Sequence, residues 1–342
     1  MWETLGRSLD RITVAGATAH GLGPLAAQRW RARGVPVPLA FQQQERAAVI
    51  AQRFAPTVLA HVRAAFDGPM ILLKGPEVAA RYPPGTRRFS DVDLLVRDAK
   101  GAHEALLANG FQLADDPAAF LDIHHLAPLR WQTLPLQVEI HSTLKWPRQL
   151  PSGPNLDAIF DAAVEASTAV DGLQAPAPRH HALILAAHSW AHTPLRMARD
   201  IVDVAAMAEE TADDEIAAIA AEWGLARVWA TMRATADWLL AGGDRPAAVS
   251  IWARHLIELR EATVLEGHIE RWLSPFSSLP PRRAVRSASA MIAHDFALRE
   301  DETLREKLRR SARAIRHALA PKSMYGWKPE EPAVGKRKRR RR

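Results

Sequence analysis

Strand-forming signals are confined to one stretch of this chain, and that confinement narrows the choice of folds more than any other feature. From Gly68 onward short apolar runs alternate with proline and glycine, at residues 70–73, 92–96, 126–131 and 136–140. Runs of that length bounded by turn residues read as strands. Helices are expected between them at 76–81 and 99–109. Gly110 closes the second, since glycine takes the left-handed conformation that ends many helices. The order β-α-β-α-β-β describes a small mixed sheet with helices on one side, an α+β core.

On both flanks the pattern is helical. Leu39, Ile50, Phe54 and Leu59 recur among Gln, Arg and Glu after a loop at 34–38, giving an N-terminal helical segment. Beyond Pro147 the strand signals stop. Proline and glycine cluster at 147–154 and 172–178, and residues 179–320 read as successive helices rich in Ala, Leu and Trp. Many of the 11 Trp fall there and are expected between packed helices rather than as base-stacking platforms. The expected division of the 342 residues is an N-terminal helical segment at 1–60, a mixed-sheet core at 61–150, a larger C-terminal helical domain at 151–320 and a basic, disordered tail at 321–342.

The net charge of +7 belongs to that tail, because residues 336–342 are all basic and the remainder balances 38 Lys and Arg against 38 Asp and Glu. Such a block is a solvated arm or a contact for nucleic acid or anionic lipid. With no cysteine, disulfides, thiolate zinc sites, Fe–S clusters and cysteine nucleophiles are excluded. No run approaches the about 20 apolar residues that span a bilayer, so no membrane span and a cytoplasmic location are expected.

The chemistry concentrates in two strands. In Arg88-Phe-Ser90-Asp91-Val-Asp93-Leu-Leu-Val, alternation projects Asp91 and Asp93 to one face while Val92, Leu94 and Val96 enter the core. Side-by-side carboxylates repel unless a cation lies between them, which suits a Mg²⁺ or Mn²⁺ site. In Leu136-Gln-Val-Glu139-Ile-His141 the same alternation leaves Gln137, Glu139 and His141 opposite the core face, so Glu139 is a third carboxylate for that site. The competing assignment is an exposed Glu139 paired with an arginine. Upstream, Lys74 and Gly75 end a strand and Pro76 opens a helix, a junction whose free N–H groups attract phosphate. Arg87, Arg88 and Ser90 precede the aspartates and can neutralise or contact a triphosphate.

The helical half offers further candidates. His188 and His192 stand at i and i+4 with His181 on the same face, but Ser189 occupies the place where a metalloprotease needs glutamate. These histidines suit phosphate or acceptor binding, or a solvated face. Thr193-Pro194 is expected to restart the helix, placing Arg196, Arg199, Asp200 and Asp203 on one arc as Arg196/Asp200 and Arg199/Asp203 pairs. They are surface ion pairs, or a cleft wall with an arginine reaching the nucleotide. No Gly-x-Ser-x-Gly or Gly-x-Gly-x-x-Gly motif supports hydrolase or dinucleotide chemistry.

Taken together, Leu72-Leu-Lys74-Gly75, Tyr82-Pro83, Arg88-Phe-Ser90-Asp91-Val-Asp93-Leu-Leu-Val and Val138-Glu139-Ile-His141 resemble the bacterial "nucleotidyltransferase family protein" branch of the polymerase-β-like nucleotidyltransferase superfamily. His180-His181-Ala-Leu-Ile-Leu and Arg199-Asp200-Ile-Val-Asp203 are similar to the helical segment that follows the core there, and the resemblance covers roughly residues 60–210. It implies Mg²⁺ (or Mn²⁺) held by Asp91, Asp93 and Glu139, an NTP donor bound through Lys74, Gly75, Arg88, Ser90, Arg196 and Asp200, and nucleoside monophosphate transfer with release of pyrophosphate. The acceptor stays open among RNA, peptide, small molecule and protein. One departure stands out: the superfamily's Gly-Ser turn reads Lys74-Gly75-Pro76 here. The alternative function is a catalytically inactive copy acting as a nucleic-acid or protein binding module.

Overall fold

The structure, a computed structural model, describes residues 1–120, 124–132, 134–151, 153–298 and 302–320. The basic tail at 321–342, with the contacts expected of it, lies outside the described residues.

Four helices come first: α1 (Trp2–Leu9), α2 (Val14–Ala19), α3 (Gly23–Ala32) and α4 (Leu39–Ala65). In α4 the buried stripe is Ala51, Ala55, Val58, Leu59 and Val62, at helical spacing, whereas Leu39 and Ile50 face solvent. The sheet follows, with β1 (Met70–Leu72), α5 (Pro76–Ala79), β2 (Asp91–Val96), α6 (Ala99–Ala108), β3 (Phe111–Leu113), β4 (Leu129–Trp131), β5 (Gln137–His141), α7 (Leu156–Asp161), β6 (Val164–Glu165) and β7 (Gln174–Ala175). Gly110 follows α6 at φ 95°, as its position predicts. The rest is helical: α8 (Pro178–His192), α9 (Ala198–Ala208), α10 (Asp213–Glu222), α11 (Ala226–Ala236), α12 (Ala247–Trp252), α13 (Arg254–Ile257), α14 (Val264–Ser278), α15 (Pro281–Phe296) and α16 (Leu304–His317). The fold is α+β, with N-terminal helices, one mixed sheet and a C-terminal helical region.

Among the described residues seven strands form the sheet, in the order β3-β4-β5-β2-β1-β7-β6. Strands β6 and β7 extend it beyond Ile140, where the strand signals had ended. They are two residues each, and β6 is exposed, so neither carries an apolar alternation. Central β2 pairs antiparallel with β1 and parallel with β5. It is almost wholly buried, which is why it reads as a near-continuous apolar run.

Helices cover both faces of the sheet rather than one. On one side Val92, Leu94, Val96, Val138 and Ile140 pack on α4 and α6. On the other, Ile71, Leu73 and Leu95 meet Ile159 and Phe160 of α7 and Ile184 of α8. A separate core joins α1–α3 to the helices from α8 to α13. Helix α8 is therefore buried nearly all round, between sheet and bundle. Among the described residues no helix is long and apolar enough to cross a membrane.

Candidate active site

Parallel pairing of β2 with β5 sets Asp91 opposite Gln137, Asp93 opposite Glu139 and Leu95 opposite His141. Alternation therefore projects Asp91, Asp93, Glu139 and His141 to the same face, the one that α8 covers further along. Ligand atoms of Asp93, Glu139 and His141 lie within 4.8 Å of one another. Asp91, two residues earlier on β2, is outside that group and lines the adjoining cleft instead. The structure thus brings two of the three expected carboxylates together with an imidazole.

Asp93 and His141 are buried, at 3% and 1% exposure, while Asp91 and Glu139 are half-buried. His141 Nε2 lies 3.0 Å from Asp93 Oδ1 and 3.6 Å from Glu139 Oε2. Burial works against the imidazolium, but these carboxylates more than offset it and raise the pKa of His141. Burial also opposes ionisation of Asp93, yet the charge of Lys74 and the hydrogen bond from His141 hold its carboxyl well below the usual range. Asp91 moves the other way, raised by burial and then by the charges of Asp93 and Glu139. Among the described residues Asp93 Oδ2 is buried with no hydrogen-bond partner. A buried, partnerless carboxylate oxygen beside a second carboxylate and an imidazole fits a divalent cation.

The adjoining cleft holds about 500 Å³ and is lined by Lys74, Gly75, Arg88, Ser90, Asp91, Arg196 and Asp200, among others. Its floor begins where β1 ends. Gly75 sits at φ 66°, and a Cβ there would lie 2.9 Å from the Asp91 carbonyl oxygen, so only glycine lets this turn pass so close to β2. Pro76 then opens α5. Arg88 and Ser90 are exposed at the rim.

Arg87 is not a free cation, as the sequence had suggested. It is 5% exposed, donates to both carboxylate oxygens of Asp203 on α9 at 2.8 and 2.9 Å, and reaches the Gly75 carbonyl at 3.2 Å. Tyr82 donates to the same carboxylate at 2.5 Å. Asp203 therefore pairs across the fold rather than with Arg199 one turn away. Helix α9 begins at Ala198, not at Pro194, because Leu195 takes a left-handed φ of 51° in the intervening turn. Arg196 consequently precedes the helix and does not pair with Asp200, while Arg87 takes Asp203 and Arg199 lies 3.9 Å from Asp200 instead.

The three helical histidines separate. His181 is fully buried with Nε2 2.6 Å from the Leu73 carbonyl oxygen, so it holds α8 to β1 and is not open to the cleft. His188 and His192 do line the cleft, their Nε2 atoms 3.0 Å apart. Lys74 Nζ contacts His188, and Lys145 Nζ lies 2.8 and 2.6 Å from the two ring nitrogens of His192. Burial, then the neighbouring charge of Lys74, lowers Lys145 to about 7. Burial, then Lys145, lowers His192 to about 2, while burial and Lys74 depress His188. A belt of neutral imidazoles and lysine side chains thus lies beside the acidic group. Of these, sequence reasoning missed Lys145, and it set His141 on the right face without giving it a role. No local signal marks Lys145, whereas the period of β5 marks His141.

The profile of a protein family described as uncharacterised nucleotidyltransferase matches residues 12–241, a span that contains the acidic group, the cleft and the Arg87–Asp203 pair. No curated protein and no solved structure matches the chain.

Proposed function

Because the chain belongs to the family of uncharacterised nucleotidyltransferases, we propose that it moves a nucleoside monophosphate from an NTP to an acceptor hydroxyl or phosphate, with divalent-metal dependence. One observation carries the reading: the acidic group on β2 and β5 adjoins Asp91, which lines a cleft whose walls also carry Lys74, Arg88, Arg196 and Arg199. Carboxylates facing cations across a cleft of this size are what an Mg²⁺–triphosphate requires.

An acceptor oxygen attacks the α-phosphorus, the bond from that phosphorus to the bridging oxygen breaks, and pyrophosphate leaves with the electron pair. Lys74, the Gly75 turn, Arg88 and Ser90 bind the triphosphate, with Arg196 and Asp200 on the facing wall. Asp93, Glu139 and His141 would hold one divalent ion and Asp91 would meet another beside the triphosphate, and such metal would supply charge neutralisation at the reacting phosphate. Glu139 also orients the attacking oxygen. Lys74, contacting His188 at the end of β1, takes the place of the missing turn serine as a phosphate donor.

The test is metal-dependent chemistry with full-length protein. Each of the four NTPs, labelled at the α-phosphate, is incubated with protein, Mn²⁺ or Mg²⁺ and cell extract, and pyrophosphate and labelled adducts are measured. Pyrophosphate release with an adduct in one size class supports the reading and names the acceptor class. Absence of both NTP binding and pyrophosphate release would leave the non-catalytic binding module instead.

A further inference from the structure

Asp93, Glu139 and His141 differ from Asp91 in three respects that bear on which ion each can take. They converge within 4.8 Å where Asp91 does not join them. Asp93 and His141 are each more than nine-tenths buried, whereas Asp91 opens to the cleft. And the converging group mixes nitrogen with oxygen: His141 Nε2 stands 3.0 Å from Asp93 Oδ1, and on the far side of Glu139 the imidazole of His125 puts Nε2 3.7 Å from Glu139 Oε2.

We propose that Asp93, Glu139 and His141 form a site for one first-row transition ion that takes Mn²⁺ in preference to Mg²⁺ and fills without nucleotide, leaving Asp91 for the ion that enters with a triphosphate. The part concerning Asp91 rests on the nucleotidyl-transfer reading; the part concerning the other three residues does not.

Register makes the site. Direct pairing of Asp93 with Glu139 puts two carboxylates side by side, and the next same-face residue of β5 is His141. The buried Asp93 carboxylate keeps a partnerless oxygen, Oδ2, beside the half-buried Glu139, and the one imidazole proton of His141 cannot serve both carboxylates, so donor capacity is left for a cation. Donor chemistry selects the ion. Mg²⁺ favours an octahedron of oxygens and releases its waters reluctantly, while imidazole is a ligand for the transition series. A pocket this buried, with one or two imidazoles among its donors, leaves little room for a hydrated Mg²⁺ and suits Mn²⁺ or a later ion. At Asp91 the neighbours are Lys74, Arg88 and Ser90, an oxygen-and-cation setting where a metal would arrive already bound to phosphate.

The experiment uses EDTA-stripped full-length protein without nucleotide, titrated with MnCl₂ while electron paramagnetic resonance reads free Mn²⁺, and repeated against MgCl₂. The expected result is a single equivalent of bound Mn²⁺ that Mg²⁺ at roughly tenfold excess fails to displace. Asp91→Asn should keep that first equivalent. His141→Gln should weaken it by roughly tenfold or more, the scale on which even the outer partners of metal ligands act. Competition in the unsubstituted protein needs no buried replacement, so a misfolded His141→Gln would not remove the test. Displacement of Mn²⁺ by equimolar Mg²⁺, or loss of the first equivalent in Asp91→Asn, overturns the inference. Failure to bind Mn²⁺ overturns it together with the metal dependence proposed above. Mn²⁺ binding without any NTP binding overturns only the transfer reading.

Discussion

Arg87 and Asp203, 116 residues apart in sequence, form a bidentate ion pair sealed from solvent between the sheet and α9. Burial opposes the charge of Arg87, and the Asp203 carboxylate beside it more than offsets that cost, so the guanidinium stays firmly protonated. Because Arg87 also donates to the Gly75 carbonyl, the pair ties the turn after β1 to the helical wall opposite it. Removing one partner strands a buried charge. Asp203→Leu or Arg87→Met should each cost about 3 to 5 kcal/mol, while the double replacement Arg87→Met with Asp203→Leu should recover much of the loss. Urea denaturation of the four proteins closes the cycle, and additive losses would show that the two residues act separately.

At Gly75 the expected outcome is a loss of both stability and nucleotide affinity. A methyl group there meets the Asp91 carbonyl at 2.9 Å and holds an L-residue at φ 66°. With ψ at −122° the residue lies outside even the left-handed helical region, so the backbone term alone exceeds the about 1 to 2 kcal/mol that a left-handed L-residue costs. Relief of the contact must move Lys74 or the start of β2, both of which border the cleft. Gly75→Ala should therefore weaken NTP binding in calorimetry more than Ala79→Gly, a change in the short helix that follows the turn. Equal binding in the two variants would separate the turn from the nucleotide.

What the sequence disclosed depended on the range of the signal. Alternation within β2 and β5 placed Asp91, Asp93, Glu139 and His141 on one face, because a period of two needs only the strand itself. Arg87 and Arg88 are neighbours with the same chemistry, and only Asp203, far along the chain, makes one structural and leaves the other at the rim. Strands β6 and β7 are too short to carry a pattern; β7 owes its conformation to the edge of β1, and β6 to pairing with β7. The turn at Leu195 likewise has no local signal: Thr-Pro there suggests a helix start, and burial of Leu195 in the bundle core overrides it.

The two aspartates of β2 should respond oppositely to neutralisation in metal-free protein. The native environment disfavours the Asp91 charge, through burial and the charges of Asp93 and Glu139, so Asp91→Asn should raise the melting temperature in EDTA. Asp93 is stabilised as a carboxylate by Lys74 and by the hydrogen bond from His141, so Asp93→Asn should lower it. Replacing both then leaves stability near level, and the stabilisation that added Mn²⁺ gives the parent should vanish. Differential scanning calorimetry with and without metal reads all three. Matching shifts in the two single variants would contradict the electrostatic asymmetry.

Acid should destabilise the protein through His181 as the pH falls below 6.5. Burial lowers the His181 pKa from 6.5 to about 4, with the Leu73 carbonyl opposing that shift and Arg81 and Arg87 reinforcing it. Between those values the unfolded chain binds a proton that the native state refuses. Stability supplied by the neutral ring is therefore complete above pH 6.5 and is lost as pH falls towards 4, with a slope approaching about 1.4 kcal/mol per pH unit. Glutamine can donate from the place of Nε2 to the Leu73 carbonyl, without titrating and without the partnerless buried Nδ1. Urea unfolding of the parent and of His181→Gln at pH 7 and pH 5 should show the parent losing about 1 to 2 kcal/mol more than the variant over that interval. Parallel losses would mean that His181 already takes up its proton in the folded state.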